Sequence, residues 1–309
     1  MTPSAILHRR LCLIRWTQAP YLYPSKEKLL DRLKELDISA KAKRSLERDI
    51  RELRDEYGIT IKYNHQRRGY YLQIPPDEDV EDFNQFVALL ERHERLSFLQ
   101  SAITNVQEVG SYLLLEKNDR FLGSELLPIL WEALRSRRIV EFIYTSYNTD
   151  NGDPISRIVE PGILFEYRNR WYLDGWDVRK NGIRTFGLDR ITNLTLSDRL
   201  ISVNRTATYK NLRRHVIGVT CPTDALPERI VLRFTSLEAQ YVRSLPIHHS
   251  QKELGVAPEG YIDFEIQVIP NHELEREILA YGEAVEVILP AFLKEKIERR
   301  VRAQVGRKI

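Results

Sequence analysis

Cysteine is nearly absent: Cys12 and Cys221 are the only two in 309 residues, and neither belongs to a CxxC pair. That argues against a disulfide framework or a zinc site and fits a reducing cytoplasm. No apolar run approaches the roughly 18 residues that span a bilayer. The opening stretch MTPSAILHRRLCLIRW interrupts its apolar residues with arginines, which reads as an amphipathic helix and not as a signal peptide, so no membrane partner is expected. The phosphate-loop pattern GxxxxGK[ST] and the metalloprotease pattern HExxH do not occur. The pair His248 and His249 is isolated and reads as a polar loop. Asp174 and Asp177 lie three apart on a strand-like segment, so they face opposite sides and cannot form an acid/base pair. No catalytic constellation, metal site or cofactor is expected, and the chain does not read as an enzyme.

What is present is an ordinary globular composition, 42% hydrophobic and 29% charged, over a length that suggests two or three domains. The net charge of +3 hides a split. Residues 1–72 hold 16 Lys and Arg against 9 Asp and Glu, a net of +7, which leaves −4 for the remainder. A basic head on a mildly acidic body points to a polyanionic partner for the head.

The head reads as three helices and a hairpin. Ile6, Leu7, Leu11 and Ile14 recur at helical spacing. A second helix follows Ser25, a candidate N-cap, with Leu29, Leu30, Leu33 and Leu36 as its apolar stripe. A third places Leu46, Ile50, Leu53 and Tyr57 on one face and Lys41, Lys43, Arg44, Arg48 and Arg51 on the other, with Gly58 to end it. ITIKYNHQRRGYYLQI then supplies two β-rich arms around a polar tip, Asn64–Gly69. This is the order of a winged helix-turn-helix, in which the third helix enters the major groove. Lys41, Lys43, Arg44 and Arg48 are then the helix contacts to double-stranded DNA, and Arg67 and Arg68 at the hairpin tip reach backbone or minor groove. Glu47 and Asp49, in the same helix, are expected to pair with arginines and not to face phosphate.

QIPPDEDVED has linker composition, and helical periodicity runs over 80–117 and again over 124–137. At RIVEFIYTSY the period changes to two. Strands are expected over 139–147, 155–166, 170–177, 183–188 and 191–196, and five short strands in that length imply a small barrel. Within RWYLDGWD (170–177), Trp171 and Leu173 point one way, into the core, while Tyr172 and Trp176 point the other, towards a pocket or an interdomain contact.

FIYTSY, SRIVEPGILFEYRNRWYLDGWD and IRTFGLDRI together resemble the WYL domain of bacterial transcriptional regulators. Trp171, Tyr172 and Leu173 match its naming triplet. The head is similar to the winged helix attached to such domains, with Ser45 where threonine is common. The tail from Glu228 to Val301 is similar to their C-terminal extension domain. The resemblance implies a multidomain α+β chain: a winged helix-turn-helix (1–74), a helical connector (75–137), an Sm/SH3-like ligand-sensing barrel (138–203), a linker (204–225) and a small α+β domain (226–309). It further implies a cytoplasmic, homodimeric DNA-binding regulator that senses a nucleotide or oligonucleotide. Tyr144, Ser146, Arg157, Tyr172, Arg184 and Arg190 are the expected ligand contacts, since guanidinium forks grip phosphate and aromatic rings stack on bases. Arg184 and Arg190 share strand parity, as do Tyr144 and Ser146. The competing reading of these arginines is pairing with Asp174, Asp177 and Asp189. The competing function is an accessory regulator that controls a partner effector protein through the barrel.

Overall fold

A computed structural model describes residues 3–18, 22–35, 43–74, 80–102, 123–147, 153–222 and 225–306. The chain divides into two compact units, 1–115 and 116–309.

In the first unit, α1 (Pro3–Gln18), α2 (Lys26–Glu35) and α3 (Lys43–Tyr57) precede a hairpin of β1 (Thr60–Asn64) and β2 (Gly69–Gln73), and α4 (Val80–Ala102) follows. Ser25 caps α2, its hydroxyl accepting from the Lys28 amide at 3.3 Å. Helix α3 ends at Gly58, whose φ of 71° is open to glycine at little cost. The Ile59 amide then reaches back to the Leu53 carbonyl at 3.1 Å. The apolar stripe expected on α3 is the one buried, together with Leu29 and Leu33 of α2. Helix α1 buries Leu11–Ile14, but also two arginines. Arg9 is 1% exposed and makes a two-pronged pair with the fully buried Asp49 of α3, one contact being 2.7 Å. Arg10 bonds Glu52 and, at 2.7 Å, Glu56. Phe83 and Val87 of α4 lie in the same apolar core, so the first turns of the expected connector belong to this unit. Leu36, Lys41 and residues 103–117 of the expected helical run lie outside the described residues.

In the second unit, α5 (Leu127–Ser136) leads into a five-stranded antiparallel sheet: β3 (Arg138–Thr145), β4 (Pro154–Tyr167), β5 (Arg170–Asp177), β6 (Gly182–Gly187) and β7 (Ile191–Leu200). The ladder order is β6-β5-β4-β3-β7. The expected closed barrel is therefore not formed. Among the described residues, β6 and β7 share no ladder: β6 stops after six residues, and a short 3-10 turn, Leu188–Arg190, takes the chain to the opposite edge beside β3. One face of the sheet packs Val140, Phe142, Val159, Leu173 and Phe186 against Leu130 and Ala133 of α5. The other is covered by α6 (Thr206–Arg214), in the segment expected to be a plain linker. The Tyr209 ring of α6 occupies the space above Gly162, where an added Cβ would lie 2.1 Å from ring carbon.

The chain ends in β8 (Glu228–Phe234), α7 (Ser236–Ser244), β9 (Lys252–Val256), β10 (Ile262–Val268), α8 (His272–Ala280), β11 (Val285–Leu289) and α9 (Ala291–Val305). The order β11-β8-β10-β9 makes this a split βαβ arrangement. Thr235 and Asn271 cap α7 and α8. Ile230, Leu232, Phe234, Phe264 and Ile266 face the helices. Arg233–Asp263 and Arg229–Glu265 pair across strands on the alternate positions. Among the described residues no helix is long and apolar enough to cross a membrane.

Two consequences are measurable. Asp49→Ala leaves the Arg9 guanidinium buried and unpaired, and should cost the first unit about 3–5 kcal/mol. The double variant Arg9→Met/Asp49→Leu should recover most of that in urea melts, and a single variant as stable as wild type would remove the pair's importance. His248 is 8% exposed, and burial, then neighbouring His249, pushes its pKa down to about 4 from 6.5. A lowered folded pKa means the neutral ring is favoured on folding. Its stabilisation is therefore complete above pH 6.5 and is lost as pH falls towards 4, on the order of 3 kcal/mol. His248→Gln should flatten this part of the acid limb, and parallel loss in both proteins over that window would refute the assignment.

Candidate nucleic-acid interface and ligand site

Helix α3 sorts its charges by direction. Asp49 turns inward to Arg9, and Glu47 is taken by Lys26 of α2 at 2.5 Å. The acidic groups at the start of the helix are thus occupied by partners on other helices: Asp49 by an arginine, as expected, and Glu47 by a lysine in place of the expected arginine. Lys43 and Arg44 open α3, Lys41 falls outside the described residues, and Arg48 is exposed, 3.9 Å from Glu52 within the helix. Arg51 is exposed on the next turn.

The hairpin tip is built locally. The Asn64 side chain accepts from the Arg67 amide at 3.0 Å, closing the turn. Arg68 sits in the left-handed region with φ 52°. Both tip arginines are exposed, and the Arg67 guanidinium stacks 4.7 Å from the Tyr23 ring centre, which holds the side chain while leaving its N–H edge outward.

On the sheet, three of the six expected ligand contacts gather around the turn after β6. The Tyr144 hydroxyl accepts from the Gly187 amide at 3.3 Å. Arg190 lies over the rings of Tyr144 and Tyr147 at 5.2 and 4.9 Å. The missing side chain of Gly187 admits Arg190 and Asp189, since an added Cβ would lie 2.7 Å from each. Tyr172 is buried and stacks on Phe165 with ring centres 5.2 Å apart, and Arg190 and Asp189 are among the charges it senses. Burial raises the pKa of both phenols, opposed by Arg190 at Tyr144 and by Arg170 at Tyr172. Both rings are therefore neutral donors at physiological pH.

Arg157 is placed elsewhere. It is opposite Phe142 on β4 and pairs with Asp177 at 2.9 Å, with its Nε buried and unbonded. Arg184 is exposed, opposite Gly175, with no ion-pair or hydrogen-bond partner among the described residues. The shared parity expected for Arg184 and Arg190 fails, because the 3-10 turn at Leu188–Arg190 breaks the strand between them. The parity of Tyr144 and Ser146 fails likewise, since β3 ends at Thr145; Ser146 is half-buried. The competing pairing holds for Arg157 with Asp177. It is weak for Arg190, whose Nε is 3.9 Å from Asp189, and Asp174 pairs with Arg213 instead.

RWYLDGWD divides as its parity indicates. Leu173 is in the core and Trp171 packs against it. On the opposite face Tyr172 stacks on Phe165, Arg213 lies 3.9 Å above the Phe165 ring, and Trp176 lies under Arg205 at 4.2 Å. Arg213 also bonds Asp174 and Thr185, and Arg205 bonds Glu160. Burial alone would raise the Glu160 carboxyl, but Ser202 and Arg205 outweigh it and hold it below the usual carboxylate value. Tyr147, Arg205 and Arg213 escaped sequence reasoning. Tyr147 follows a strand end, where parity no longer applies, and the two arginines belong to a segment with little apolar pattern.

Guanidinium groups beside phenol rings can hold a phosphate and stack a base. Among the described residues no three His, Cys, Asp or Glu converge as a metal site.

Comparison with known proteins fits these elements. Residues 125–196 match the WYL domain, and 226–305 match the WCX domain. Protein PafB of Mycobacterium leprae (strain TN) is 27% identical over 294 residues, 85% of each chain. Protein PafB of Mycobacterium tuberculosis (strain ATCC 25618 / H37Rv) is 27% identical over 186 residues, 60% of this chain and 54% of that one. A solved structure of proteasome accessory factor B/C (PafBC) of Arthrobacter aurescens, 19% identical with a TM-score of 0.34, is matched over 97% of this chain. The match spans 46% of the PafBC chain. A CRISPR Cas-related protein is 12% identical with a TM-score of 0.41, over 98% of this chain and 84% of the other.

Proposed function

We propose that this chain, whose residues 125–196 match the WYL domain and 226–305 the WCX domain, is a WYL-domain transcriptional regulator whose first unit is a winged helix-turn-helix that binds double-stranded DNA and whose WYL sheet senses a nucleotide or oligonucleotide. The observation that carries the DNA reading is the sorting of charge on α3. Asp49 and Glu47 are held by Arg9 and Lys26, while Arg48, Arg51, Arg67 and Arg68 remain exposed on α3 and the hairpin. In this reading Lys41, Lys43, Arg44 and Arg48 meet the major groove. Arg67 and Arg68 grip the flanking backbone. The regulator acts as a homodimer on a palindromic operator. In this reading the DNA-binding head runs to residue 74, a helical connector to 137, the sensor to 203 and the extension domain from 226, with α6 of the intervening segment packed on the sensor sheet.

The sensor reading rests on Arg190, held by two aromatic rings and only weakly paired with Asp189 at 3.9 Å, next to Tyr144 and Tyr172. A phosphate there gains a guanidinium whose N–H edge is not committed, and a base gains phenol rings. Arg157, Arg184 and Ser146 lie apart from these three and join the site only for a ligand large enough to reach them. DNA and ligand must then change each other's affinity by the same factor.

Fluorescence anisotropy with the chain's own upstream DNA tests the first reading. Log affinity should fall steeply with log salt, by about 0.9 per phosphate contact, and Arg68→Ala should reduce the slope by about 1. A flat salt dependence would remove phosphate contact as the binding force. For the sensor, the purified chain is denatured and any released nucleotide identified by mass spectrometry. Arg190→Leu should weaken titrated nucleotide by about ten- to a hundredfold, the worth of a charge-assisted hydrogen bond; unchanged affinity would move the ligand elsewhere.

A further inference from the structure

A second arginine cluster lies away from the proposed sensor residues. At the C-terminal end of α5, the chain turns through Arg137, a non-glycine residue with φ 54°. Arg135 and Arg137 there, with Arg205 and Thr206 at the start of α6, line a cavity of about 280 Å3 on the α6 side of the sheet. Arg135 and Arg137 are exposed, and neither side chain has an ion-pair or hydrogen-bond partner among the described residues. Arg205 is held on the Trp176 ring and bonds Glu160 through one nitrogen, which leaves further N–H groups unused. Tyr209 also lines the cavity, is 2% exposed, and has no hydrogen-bond partner for its hydroxyl among the described residues. A phenol hydroxyl with no protein partner is a donor that a ligand or water can use. The positive pole of α6, a nine-residue helix, lies at the same place. Glu160 is the one carboxylate in the lining, and it is occupied by Arg205 and Ser202.

We propose that this cavity is a separate binding site for a small phosphomonoester or inorganic phosphate, held by Arg135, Arg137 and Arg205 with Tyr209 donating its hydroxyl. Three guanidinium groups, a phenol and a helix start supply more donors than a carboxylate accepts, whereas a phosphate dianion presents three terminal oxygens. The volume lies just under the roughly 300–1,000 Å3 of drug-sized pockets, so the occupant is small. The site is independent of the sensor reading, since it shares no residue with it.

The test is isothermal titration of the full chain with inorganic phosphate and with adenosine monophosphate, at constant ionic strength against chloride. Saturable binding of either is expected, and the ratio of the two affinities separates a free-phosphate site from a phosphomonoester site. Arg135→Ala and Arg137→Gly should each weaken it about tenfold or more. Arg137→Gly removes the guanidinium while suiting the left-handed backbone, so its melting temperature should not fall, and lost binding cannot then be attributed to unfolding. The proposal is overturned if neither probe binds saturably. It is also overturned if binding survives both substitutions but is lost in Arg157→Ala/Arg190→Ala.

Discussion

The second unit depends on one close approach, the Tyr209 ring lying where any side chain on residue 162 would be. A sheet whose strands carry bulky residues on both faces needs both faces covered. Helix α5 covers one; α6 can cover the other only because Gly162 lets it lie directly on β4. Once α6 is seated, Arg213 reaches Asp174 and Thr185 over the Phe165 ring, and Arg205 reaches Glu160 over Trp176. Asp174 and Glu160 are buried, and neither carboxylate would be tolerated there without its arginine. The chain leaving α6 then anchors the C-terminal sheet: the Ile269 amide donates to the His215 carbonyl at 2.7 Å, and the Asn271 side chain donates to the Ile217 and Thr220 carbonyls. Nine residues of helix thus close one sheet and connect it to the next.

Charge in this protein informs by placement more than by sum. The net +7 of residues 1–72 includes Arg9 and Arg10, which hold α1 against α3 and are closed to any polyanion. Arg48 and Arg51 of α3 and Arg67 and Arg68 of the hairpin tip remain outward, and Asp49, Glu47, Glu52 and Glu56 of α3 are drawn to cations on other helices. The acidic remainder of the chain shows the converse. Its net −4 conceals Arg135, Arg137 and Arg184, exposed and without partners among the described residues. Long-range attraction follows the sum; a binding site follows the unpaired groups.

Much of the fold was legible because it is periodic. The α3 stripe, the Ser25 cap, the hairpin and all five strands of the first large sheet follow from spacing and turn residues. Helix α6 was not legible: TATYKNLRR offers only Ala207, Tyr209 and Leu212 as apolar positions, too few to define a face. Barrel closure was misjudged because strand number does not specify ladder order, and β7 joins β3, leaving β6 as the other edge. The ion pairs were hidden for a different reason. Parity correctly puts Asp174 and Trp176 on one face, but their cations come from 39 and 29 positions further along the chain, on an element that periodicity does not reveal. Of the six residues expected at the ligand site, Tyr144, Tyr172 and Arg190 do converge. Arg157 is drawn aside by Asp177, and Arg184 by a turn that sequence parity treats as strand.

That difference among the arginines bears on how the proposed sensor could respond. Arg157 is engaged by a buried carboxylate, and a phosphate recruiting it must compete with Asp177 in a poorly solvated place, where breaking a charge pair is expensive. Arg190 is held by the faces of two rings, an attraction that leaves its hydrogen-bonding edge unused. A ligand can engage Arg190 without giving up an existing ion pair of comparable strength, since the nearest oxygen of Asp189 is 3.9 Å away. Recruitment of Arg157, by contrast, would release Asp177, whose other oxygen accepts from the amides of Arg179 and Lys180 at 3.0 Å and so fixes the β5–β6 turn. Binding confined to Arg190 would leave the sheet as it stands. Binding that reaches Arg157 would alter the turn between β5 and β6, and that is the kind of differential contact a ligand needs in order to shift a conformational equilibrium.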